Sequence, residues 1–545
     1  MRARRVGTVA ATATLLVLSG CGTATVRDDP RPASASGSWP QGGTSGTGSF
    51  RPLPVPAGWG PTDAEIARAR TFVGRLSLRQ RAGQVIVASY SGTGAPTALV
   101  NRLHLGGVIP FSSNVTSAGQ IARANRTLQK GVHRPWPVLV GVDQEGGRVA
   151  RVTAGATSFP AFMSAGAAGD PALTRSAYAA SGAELRAMGF NVDFAPDADV
   201  TSGPADPAIG ARSAGSAPGR VADHAVAAMK GFESSGLVPV LKHFPGHGSV
   251  STDSHVGLPV QRKSLKQLER SDLVPFRTGL TADASAVMVG HLDVRALDPR
   301  MPSSLSHAAV TGLLRERMGF RGVAFTDSLQ MGAVAQRFGS AAASVRALKA
   351  GEDVVLMPPD PRVARDGLVA AVRDGRLDQA RLDQAATRMV ALLLHQKASV
   401  ARPRAPGSSG TVSRRLSTAA LTSVSGPCSG RLVGRKVKVS GPAPAVARFR
   451  AAASAAGLPV VRKKTAKGTT VRLVGYPSRA VRGDVVVAMD TPYVLGRSAA
   501  RRSRLATFGE TPGAMSALVS VLLGRSSAPG HLPVPVAGVP RSGCP

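Results

Sequence analysis

The sequence has few aromatic and few acidic residues, and both scarcities limit the classes of function that the protein can have. Phenylalanine, tyrosine and tryptophan make up 4% of the 545 residues, which disfavours a long stacking surface for single-stranded nucleic acid. With 67 basic against 32 acidic residues the net charge is +35, which predicts anionic surroundings such as nucleic acid, anionic lipid or an acidic wall polymer. Because no arginine-rich tract accompanies this charge, we expect no nucleic-acid partner.

The N-terminus also lacks an apolar run long enough for a confident transmembrane helix. Three arginines within the first five residues precede an uncharged stretch over 6–19, which predicts a secretory signal over 1–20. The signal ends in "LSGC", which resembles the bacterial lipobox and makes Cys21 the predicted site of lipidation. We therefore expect an exported protein anchored by lipid to the outer face of the membrane. Ordinary signal-peptidase cleavage beside a chance cysteine is the alternative.

Cysteine is scarce as well, with three residues in the chain. Setting aside Cys21 leaves Cys428 and Cys544, which lie near the two ends of the C-terminal segment. Outside the cytoplasm this pair is a candidate disulfide that closes the segment. Two separate thiols are the alternative.

Composition divides the rest of the chain into four segments. Residues 21–60 are rich in Gly, Ser, Pro and Thr and predict a flexible tether. Residues 61–398 predict a large α/β domain, the candidate catalytic domain. Residues 399–425 predict a linker, and residues 426–545 predict a smaller α/β domain of sandwich-like form. From 401 to 545 there are 23 basic and 3 acidic residues, so this last domain suits contact with anionic wall polymers.

Eight short apolar runs alternate with amphipathic stretches in the segment 61–398. Strands that are buried on both faces give continuous runs of this kind, and eight of them predict a (β/α)₈ barrel of the TIM type. An open doubly wound sheet is the competing architecture. The runs are 83–89, 106–111, 137–143, 191–197, 237–243, 285–291, 322–327 and 352–358.

Polar residues end five of these runs. They are Asp143, Asp197, His243, His291 and Asp327. In a barrel the carboxyl ends of the strands lie together, and the active site gathers there. The pattern therefore predicts one site at that end of the barrel.

The stretch "KHFPGHGSVSTDSH", residues 242–255, is the densest group of functional side chains. His243 and His247 are four residues apart, as in a helical zinc motif, but Pro245 and Gly246 between them break a helix. No glutamate follows the first histidine, so the HExxH pattern is missing. We predict neither a metal ion nor another cofactor.

Asp253 and His255 lie two residues apart in the same stretch, within a Gly- and Ser-rich loop. A carboxylate beside an imidazole fixes its tautomer and stabilises the imidazolium, so the pair is suited to general acid and base catalysis. Taken alone, the pattern also fits a solvated loop histidine.

The full stretch "KHFPGHGSVSTDSHVGLP" resembles the signature of bacterial β-N-acetylglucosaminidases of glycoside hydrolase family 3, which act in peptidoglycan turnover. Further segments resemble the family's landmarks and occur in its order. They are "GVDQEGGRVARV" (141–152), "FPAFMSAGAAGD" (159–170), "GFNVDFAPDADV" (189–200), "IGARS" (209–213) and "GVAFTDSLQMGAV" (322–334). The resemblance implies a (β/α)₈-type catalytic domain, in agreement with the strand count.

The resemblance also implies roles for individual residues. Asp327 matches the catalytic nucleophile, and His255 matches the general acid/base with Asp253 as its partner. The residues that match sugar contacts are Asp143, Arg151, Arg212, Lys242 and His243.

The predicted function is a lipid-anchored, retaining exo-β-N-acetylglucosaminidase that removes terminal GlcNAc from peptidoglycan fragments. Two alternatives stay open at the level of sequence. A neutral histidine does not repel phosphate, so a phosphorylase that releases GlcNAc-1-phosphate fits the same residues. The alternative from a non-enzymatic class is a lipoprotein that only binds the wall, through its basic C-terminal segment.

Overall fold

The computed structural model describes residues 55–400, 403–461, 467–477 and 479–544. The predicted signal, Cys21 and most of the predicted tether lie outside the described residues. The last part of that tether is folded, because Trp59 is 1% exposed and donates its indole N–H to the Pro56 carbonyl at 2.7 Å. The tether prediction therefore extends too far toward the barrel, since one buried tryptophan offsets much of the ordering cost of its neighbours.

Eight parallel strands form the centre of the first domain, one at each predicted run, and the fifth extends one residue past its run to Phe244. Hydrogen-bonded pairing joins neighbours around the ring, including the first strand with the eighth. Bridges from Asp197 to Lys242 and from Phe325 to Val354 complete it. The result is the predicted (β/α)₈ barrel rather than an open sheet. The strands are Ile86–Ala88, Gly107–Val108, Leu139–Val142, Val192–Asp193, Leu241–Phe244, Ala286–Val289, Val323–Thr326 and Val355–Leu356.

Helices surround this barrel, and local signals start several of them. Pro171–Ala187 begins with a proline in its first turn, and the preceding Asp170 carboxylate accepts a hydrogen bond from the Leu173 amide, which satisfies an N–H group without an intrahelical partner. The helix Ala308–Arg317 has π-helical hydrogen bonding. The other helices are Asp63–Gly74, Leu78–Gln84, Thr97–Leu103, Ala118–Gly131, Met163–Ala168, Pro218–Ser234, Leu265–Arg270, Leu273–Thr281, Gly332–Ala335, Ser340–Ala350, Pro361–Arg373 and Gln379–Ala398.

Short elements decorate the loops of the barrel. The two-residue strand Val238–Pro239 precedes the fifth barrel strand and pairs with the fourth. An antiparallel hairpin, Gln144–Gly146 with Val149–Ala150, follows the third strand, and Val260–Gln261 pairs with Asp293–Val294. Single turns of 3₁₀-helix occur at Ser112–Asn114, Gly210–Arg212 and Ser303–Leu305.

The second domain is a five-stranded sheet with helices against it. In spatial order its strands are Thr422–Ser425, Ala499–Ala506, Arg482–Ala488, Thr469–Val474 and Val437–Ser440, and only the first pair is antiparallel. Its helices are Gly410–Ala420, Ala443–Ala455 and Pro512–Leu522, with a 3₁₀ segment at Pro492–Gly496.

The predicted linker over 399–425 is wrong in its second half. That half contains the helix Gly410–Ala420 and the edge strand Thr422–Ser425. Leu416 and Ala420 of this helix are 2% and 0% exposed, so the segment is part of the core rather than a spacer. Its Ser- and Arg-rich composition is typical of a linker, but here these residues form the exposed polar face of an amphipathic helix.

Cys428 and Cys544 form a disulfide with their Cα atoms 5.6 Å apart, and it spans 116 residues of the second domain. Among the helices of the described ranges, none combines the length and the apolar character needed to cross a bilayer.

The two domains touch through loops that follow the barrel strands. The Ala161 amide donates to the Phe508 carbonyl at 3.0 Å, and the Ser216 amide donates to the Pro533 carbonyl at 3.2 Å. Arg148, at the tip of the hairpin after the third strand, lies 3.8 Å from the ring centroid of Tyr476. The second domain therefore supports loops whose other ends carry predicted site residues.

Candidate active site

A cavity of about 380 Å³ opens at the carboxyl ends of the barrel strands. Its walls include the side chains that end the third, fifth and seventh strands, as expected for a barrel of this type. All of the predicted catalytic and sugar-binding residues line this one cavity. They are Asp143, Arg151, Arg212, Lys242, His243, Asp253, His255 and Asp327.

Asp327 directly follows the seventh strand and is 9% exposed. Its amide donates to the Val289 carbonyl at 2.9 Å, which fixes it on the sheet, and its Oδ1 accepts from the Ser328 amide at 2.7 Å. Burial raises the pKa of this carboxyl, but the electrostatic influence of His243 and His291 and the Ser328 hydrogen bond outweigh burial, and the pKa is lowered. Asp327 is therefore a rigid, ionised carboxylate at neutral pH.

His255 and Asp253 form a hydrogen-bonded pair at the cavity mouth. The imidazole Nδ1 lies 2.7 Å from Asp253 Oδ1, and the His255 amide donates to the same oxygen at 2.9 Å. Burial raises the pKa of Asp253, yet the two hydrogen bonds from His255 lower it overall. Because an ionised carboxylate only accepts hydrogen bonds, Nδ1 is the donor and Nε2 is left for chemistry. The His255 side chain is 70% exposed, so it can reach a ligand that enters from solvent.

Asp143 lies between two cations at the end of the third strand. Lys242 Nζ is 3.1 Å from its Oδ1, and Arg151 Nη2 is 3.4 Å from its Oδ2. Arg151 also packs over the ring of Phe111, with its guanidinium carbon 5.0 Å from the centroid. The three charged side chains together offer a fixed set of donors and acceptors for sugar hydroxyls.

Glu145 is a site residue that the sequence reasoning missed. It is 4% exposed and receives both parallel hydrogen bonds of the Arg212 guanidinium, each 2.8 Å long, and lies 2.6 Å from Lys242 Nζ. Burial raises its pKa, but Arg212 and Lys242 reverse this and hold the pKa well below its usual value. Its position two residues after Asp143 was the available signal, because alternate residues of an extended hairpin share a face.

His243 is oriented by a second missed residue, Asp199. Its Nδ1 lies 2.7 Å from Asp199 Oδ2, and its Nε2 lies 3.3 Å from Arg212 Nη2. Burial raises the pKa of Asp199, but His243 and His247 lower it to about 2. Neighbouring Asp197 behaves in the opposite way, because burial and the charge of Asp199 raise its pKa well above the usual value.

Potential metal ligands occur in this group, since donor atoms of Asp197, Asp199 and His243 lie within 4.8 Å of one another. Arg212 approaches Asp197 to 3.5 Å and already supplies a positive charge there. The cluster is therefore explained as the electrostatic support of Arg212 and His243.

His247, which is not among the predicted site residues, holds its loop in place. It is 2% exposed, its amide donates to Asp199 Oδ1 at 2.5 Å, and its Nε2 lies 2.9 Å from Ser254 Oγ. Burial lowers its pKa to about 4, so the ring is neutral at neutral pH. The contact ties the residue next to His255 to the barrel.

The chain is similar to several known proteins. Residues 77–392 match the glycosyl hydrolase family 3 N terminal domain. Beta-hexosaminidase LpqI of Mycobacterium tuberculosis is 36% identical over 370 residues, which are 66% of this chain and 93% of LpqI. Beta-hexosaminidase A of Pseudoalteromonas piscicida is 35% identical over 323 residues, and the match spans about half of that protein, 54% of its length.

A solved structure extends the similarity to both domains. The glycoside hydrolase family 3 beta-N-acetylglucosaminidase from Paenibacillus sp. str. FPU-7 superposes with a TM-score of 0.76 at 28% identity, and the match covers 85% of this chain and 99% of that one. The family match and the nearly full-length match to LpqI lead to one conclusion. The chain belongs to glycoside hydrolase family 3 and is an enzyme of the β-hexosaminidase type.

Proposed function

We propose that the protein is a retaining exo-β-N-acetylglucosaminidase that removes non-reducing terminal GlcNAc from peptidoglycan-derived muropeptides. The observation that carries this proposal is the joint placement of Asp327 and the Asp253–His255 pair around one cavity. A retaining glycosidase needs a nucleophile and a proton donor beside the same glycosidic bond, and a cavity of this size suits a single sugar ring rather than a long chain.

In the first step the Asp327 carboxylate attacks the anomeric carbon, and the bond to the leaving oxygen breaks. His255 Nε2 gives its proton to that oxygen, so the aglycone departs as a neutral alcohol. The Asp253 carboxylate accepts from Nδ1 and stabilises the imidazolium before the proton is given up. Arg151, Lys242 and the remaining sugar-contact residues hold the ring in place.

In the second step water attacks the anomeric carbon of the glycosyl-enzyme. The now neutral His255 accepts a proton from that water, the bond to Asp327 breaks, and GlcNAc leaves with the β-configuration retained. The low pKa of Asp327 favours this step, because a weakly basic carboxylate is a better leaving group. Exposure of His255 at the cavity mouth gives water access to it.

The nucleophile is tested with a soluble form that begins after the predicted lipid site. The parent should release nitrophenol from the β-GlcNAc aryl glycoside, and Asp327→Ala should lose activity by at least about 10³-fold, as expected for removal of a covalent nucleophile. Asp374→Ala is the matched control, since this exposed carboxylate pairs with the nearby Arg376 at 2.9 Å and is not among the residues that line the cavity. Equal turnover by the Asp327→Ala variant and the parent would refute the assignment.

Phosphorolysis is the second candidate, and the identity of the acid/base favours it. Inorganic phosphate could approach His255, which lines the cavity, without the repulsion that a glutamate would exert. Mass analysis of products formed with and without phosphate separates the candidates. GlcNAc-1-phosphate in the first reaction would establish a phosphorylase, whereas free GlcNAc in both would establish a hydrolase.

We also propose that a lipid at Cys21 anchors the enzyme outside the membrane and that the second domain binds anionic wall polymers. Three adjacent strands of its sheet carry exposed arginines. They are Arg472, Arg482, Arg501 and Arg502. Retention of the soluble form on isolated cell wall should fall steeply as salt rises and should weaken when the four arginines become glutamine. Retention that changes neither with salt nor with the four substitutions would exclude this role. Retention without turnover of any aryl glycoside would favour a purely wall-binding protein.

A further inference from the structure

The loop that carries Asp253 and His255 rests on the segment that follows the nucleophile. This segment is the short helix Gly332–Ala335, whose first residue comes five positions after Asp327. The Gly332 amide donates to the His255 carbonyl at 3.3 Å, and the Ala333 amide donates to the Ser254 carbonyl at 3.2 Å. Amides in the first turn of a helix have no partner within it, so the loop supplies the acceptors that these two amides need.

Glycine at 332 is what permits this close approach. A Cβ atom there would lie 2.8 Å from the His255 carbonyl oxygen and 3.0 Å from that of Val256. The Gln336 Nε2, 3.1 Å away, can move aside, but the two nearest obstacles are backbone atoms that no side-chain rotation relieves. The backbone of Gly332 lies outside the left-handed region, and alanine would fit the helix itself without strain. The glycine is therefore required by the loop and not by the helix.

The opposite side of the loop is fastened to the barrel. His247 Nε2 contacts Ser254 Oγ at 2.9 Å, and the Ser254 carbonyl accepts from Ala333. The peptide next to His255 is thus held from two sides, while the His255 ring stays 70% exposed. The distance that the imidazole can reach into the cavity depends on where this peptide rests.

We propose that Gly332 is a positioning residue that sets the reach of the His255 imidazole and links it to the segment bearing Asp327. This inference rests on the proposed function, because it assigns Gly332 a part in proton transfer by His255. A methyl group at 332 would push the 254–256 backbone outward and move the imidazole away from the glycosidic oxygen. Asp327 would stay in place, because its backbone amide donates to the Val289 carbonyl.

The test compares two glycosides that differ in their need for a proton. Phenyl β-GlcNAc releases a basic phenolate and needs the acid, whereas the 2,4-dinitrophenyl glycoside releases a stable anion and does not. For Gly332→Ala, kcat/KM on the phenyl glycoside should fall about 100-fold, the lower range of general acid catalysis, with little change on the dinitrophenyl glycoside. Gly339→Ala is the matched control, because a Cβ at 339 meets no atom within 4 Å.

A second variant perturbs the loop from its other side. Ser254→Ala removes the contact with His247 without adding bulk and should give a smaller loss with the same selectivity for the phenyl glycoside. Equal losses on both glycosides, or no loss on either, would overturn the role of Gly332. A parent enzyme that cleaves neither glycoside would instead refute the proposed function, so the two failures are distinguishable.

Discussion

Glutamine is expected to have opposite effects on stability at two buried glutamate positions. Glu145 and Glu352 are 4% and 0% exposed. Arg212 and Lys242 donate to Glu145, whereas neither carboxylate oxygen of Glu352 has a hydrogen-bond partner in the described part of the chain. Burial raises the pKa of both groups, but the two cations reverse the shift at Glu145, while the pKa of Glu352 stays well above its usual value.

Glu145→Gln removes the negative charge and leaves the buried Lys242 and the partly buried Arg212 with one fewer partner. Breaking a buried ion pair in this way costs about 3–5 kcal/mol of unfolding free energy, and we expect a loss of that size at pH 7. A pKa that is lower in the folded state gives stability above the unfolded value of about 4.3 and loses it as the pH falls through the folded value. The difference between parent and variant should therefore shrink in acid.

Glu352→Gln should be neutral near pH 4 and stabilising at higher pH. A raised folded pKa means that the parent must take up a proton on folding once the pH exceeds about 4.3. The parent then loses about 1.4 kcal/mol per pH unit until the folded pKa is reached. The amide has nearly the shape of a protonated carboxyl and carries no such dependence, so its advantage should grow over that interval.

Urea unfolding followed by tryptophan fluorescence measures both effects in the barrel, because Trp59 and Trp136 are 1% and 5% exposed there. Midpoints and slopes of the transition should be compared at pH 3, pH 5 and pH 8. The Glu145 difference should shrink only below about pH 4.3, whereas the Glu352 difference should grow between pH 5 and pH 8. Similar losses for the two variants, or an advantage of Glu352→Gln that does not grow from pH 5 to pH 8, would refute the argument that hydrogen-bonded cations decide the sign.

Three further outcomes follow from the structure. Burial raises the pKa of Asp193 to about 8, so the parent loses stability from about pH 4 up to pH 8, and Asp193→Asn should be nearly neutral near pH 4 and increasingly stabilising toward pH 8 in urea titrations. Replacing Cys428 by serine opens a 116-residue loop closed with Cys544 and should lower the unfolding free energy by about 2–5 kcal/mol; a reductant should destabilise the parent and not the variant. Arg148→Ala removes the 3.4 Å contact with Asp490 and should raise KM for the aryl glycoside with little change in kcat. Arg148→Lys should bring KM back toward the parent value.

The barrel was predictable because its strands leave a strong local signal. A strand that is covered on both faces must be largely apolar, and each of the eight runs coincides with one of the eight barrel strands, of which the fifth extends one residue beyond its run. Charged side chains directly after such runs, such as Asp143 and Asp327, cannot continue the core and so mark the strand ends. The sequence order then places these side chains at one end of the barrel.

Other parts of the structure left no such signal. The strand Ala499–Ala506 has the sequence "AARRSRLA", and its exposed arginines break the apolar run that identifies a buried strand. Glu145 and Asp199 act through partners 67 and 44 residues away in sequence, Arg212 and His243. Pairing of buried charges over such distances is set by tertiary contacts, and a single sequence does not contain it.

The paired charges at the site also bear on what enters it. The three cations of the cavity each contact a carboxylate, Asp143 or Glu145; they are Arg151, Arg212 and Lys242. The cavity therefore offers hydrogen-bond groups with little unbalanced positive charge. The excess positive charge of the chain lies elsewhere. A neutral sugar suits such a cavity, whereas a phosphate would have to compete with the two carboxylates. Raising the salt concentration should therefore leave kcat/KM for a neutral aryl glycoside nearly constant while it releases the enzyme from the cell wall. A parallel decline of both would show that unpaired cations steer the substrate, and would make phosphate the more plausible acceptor.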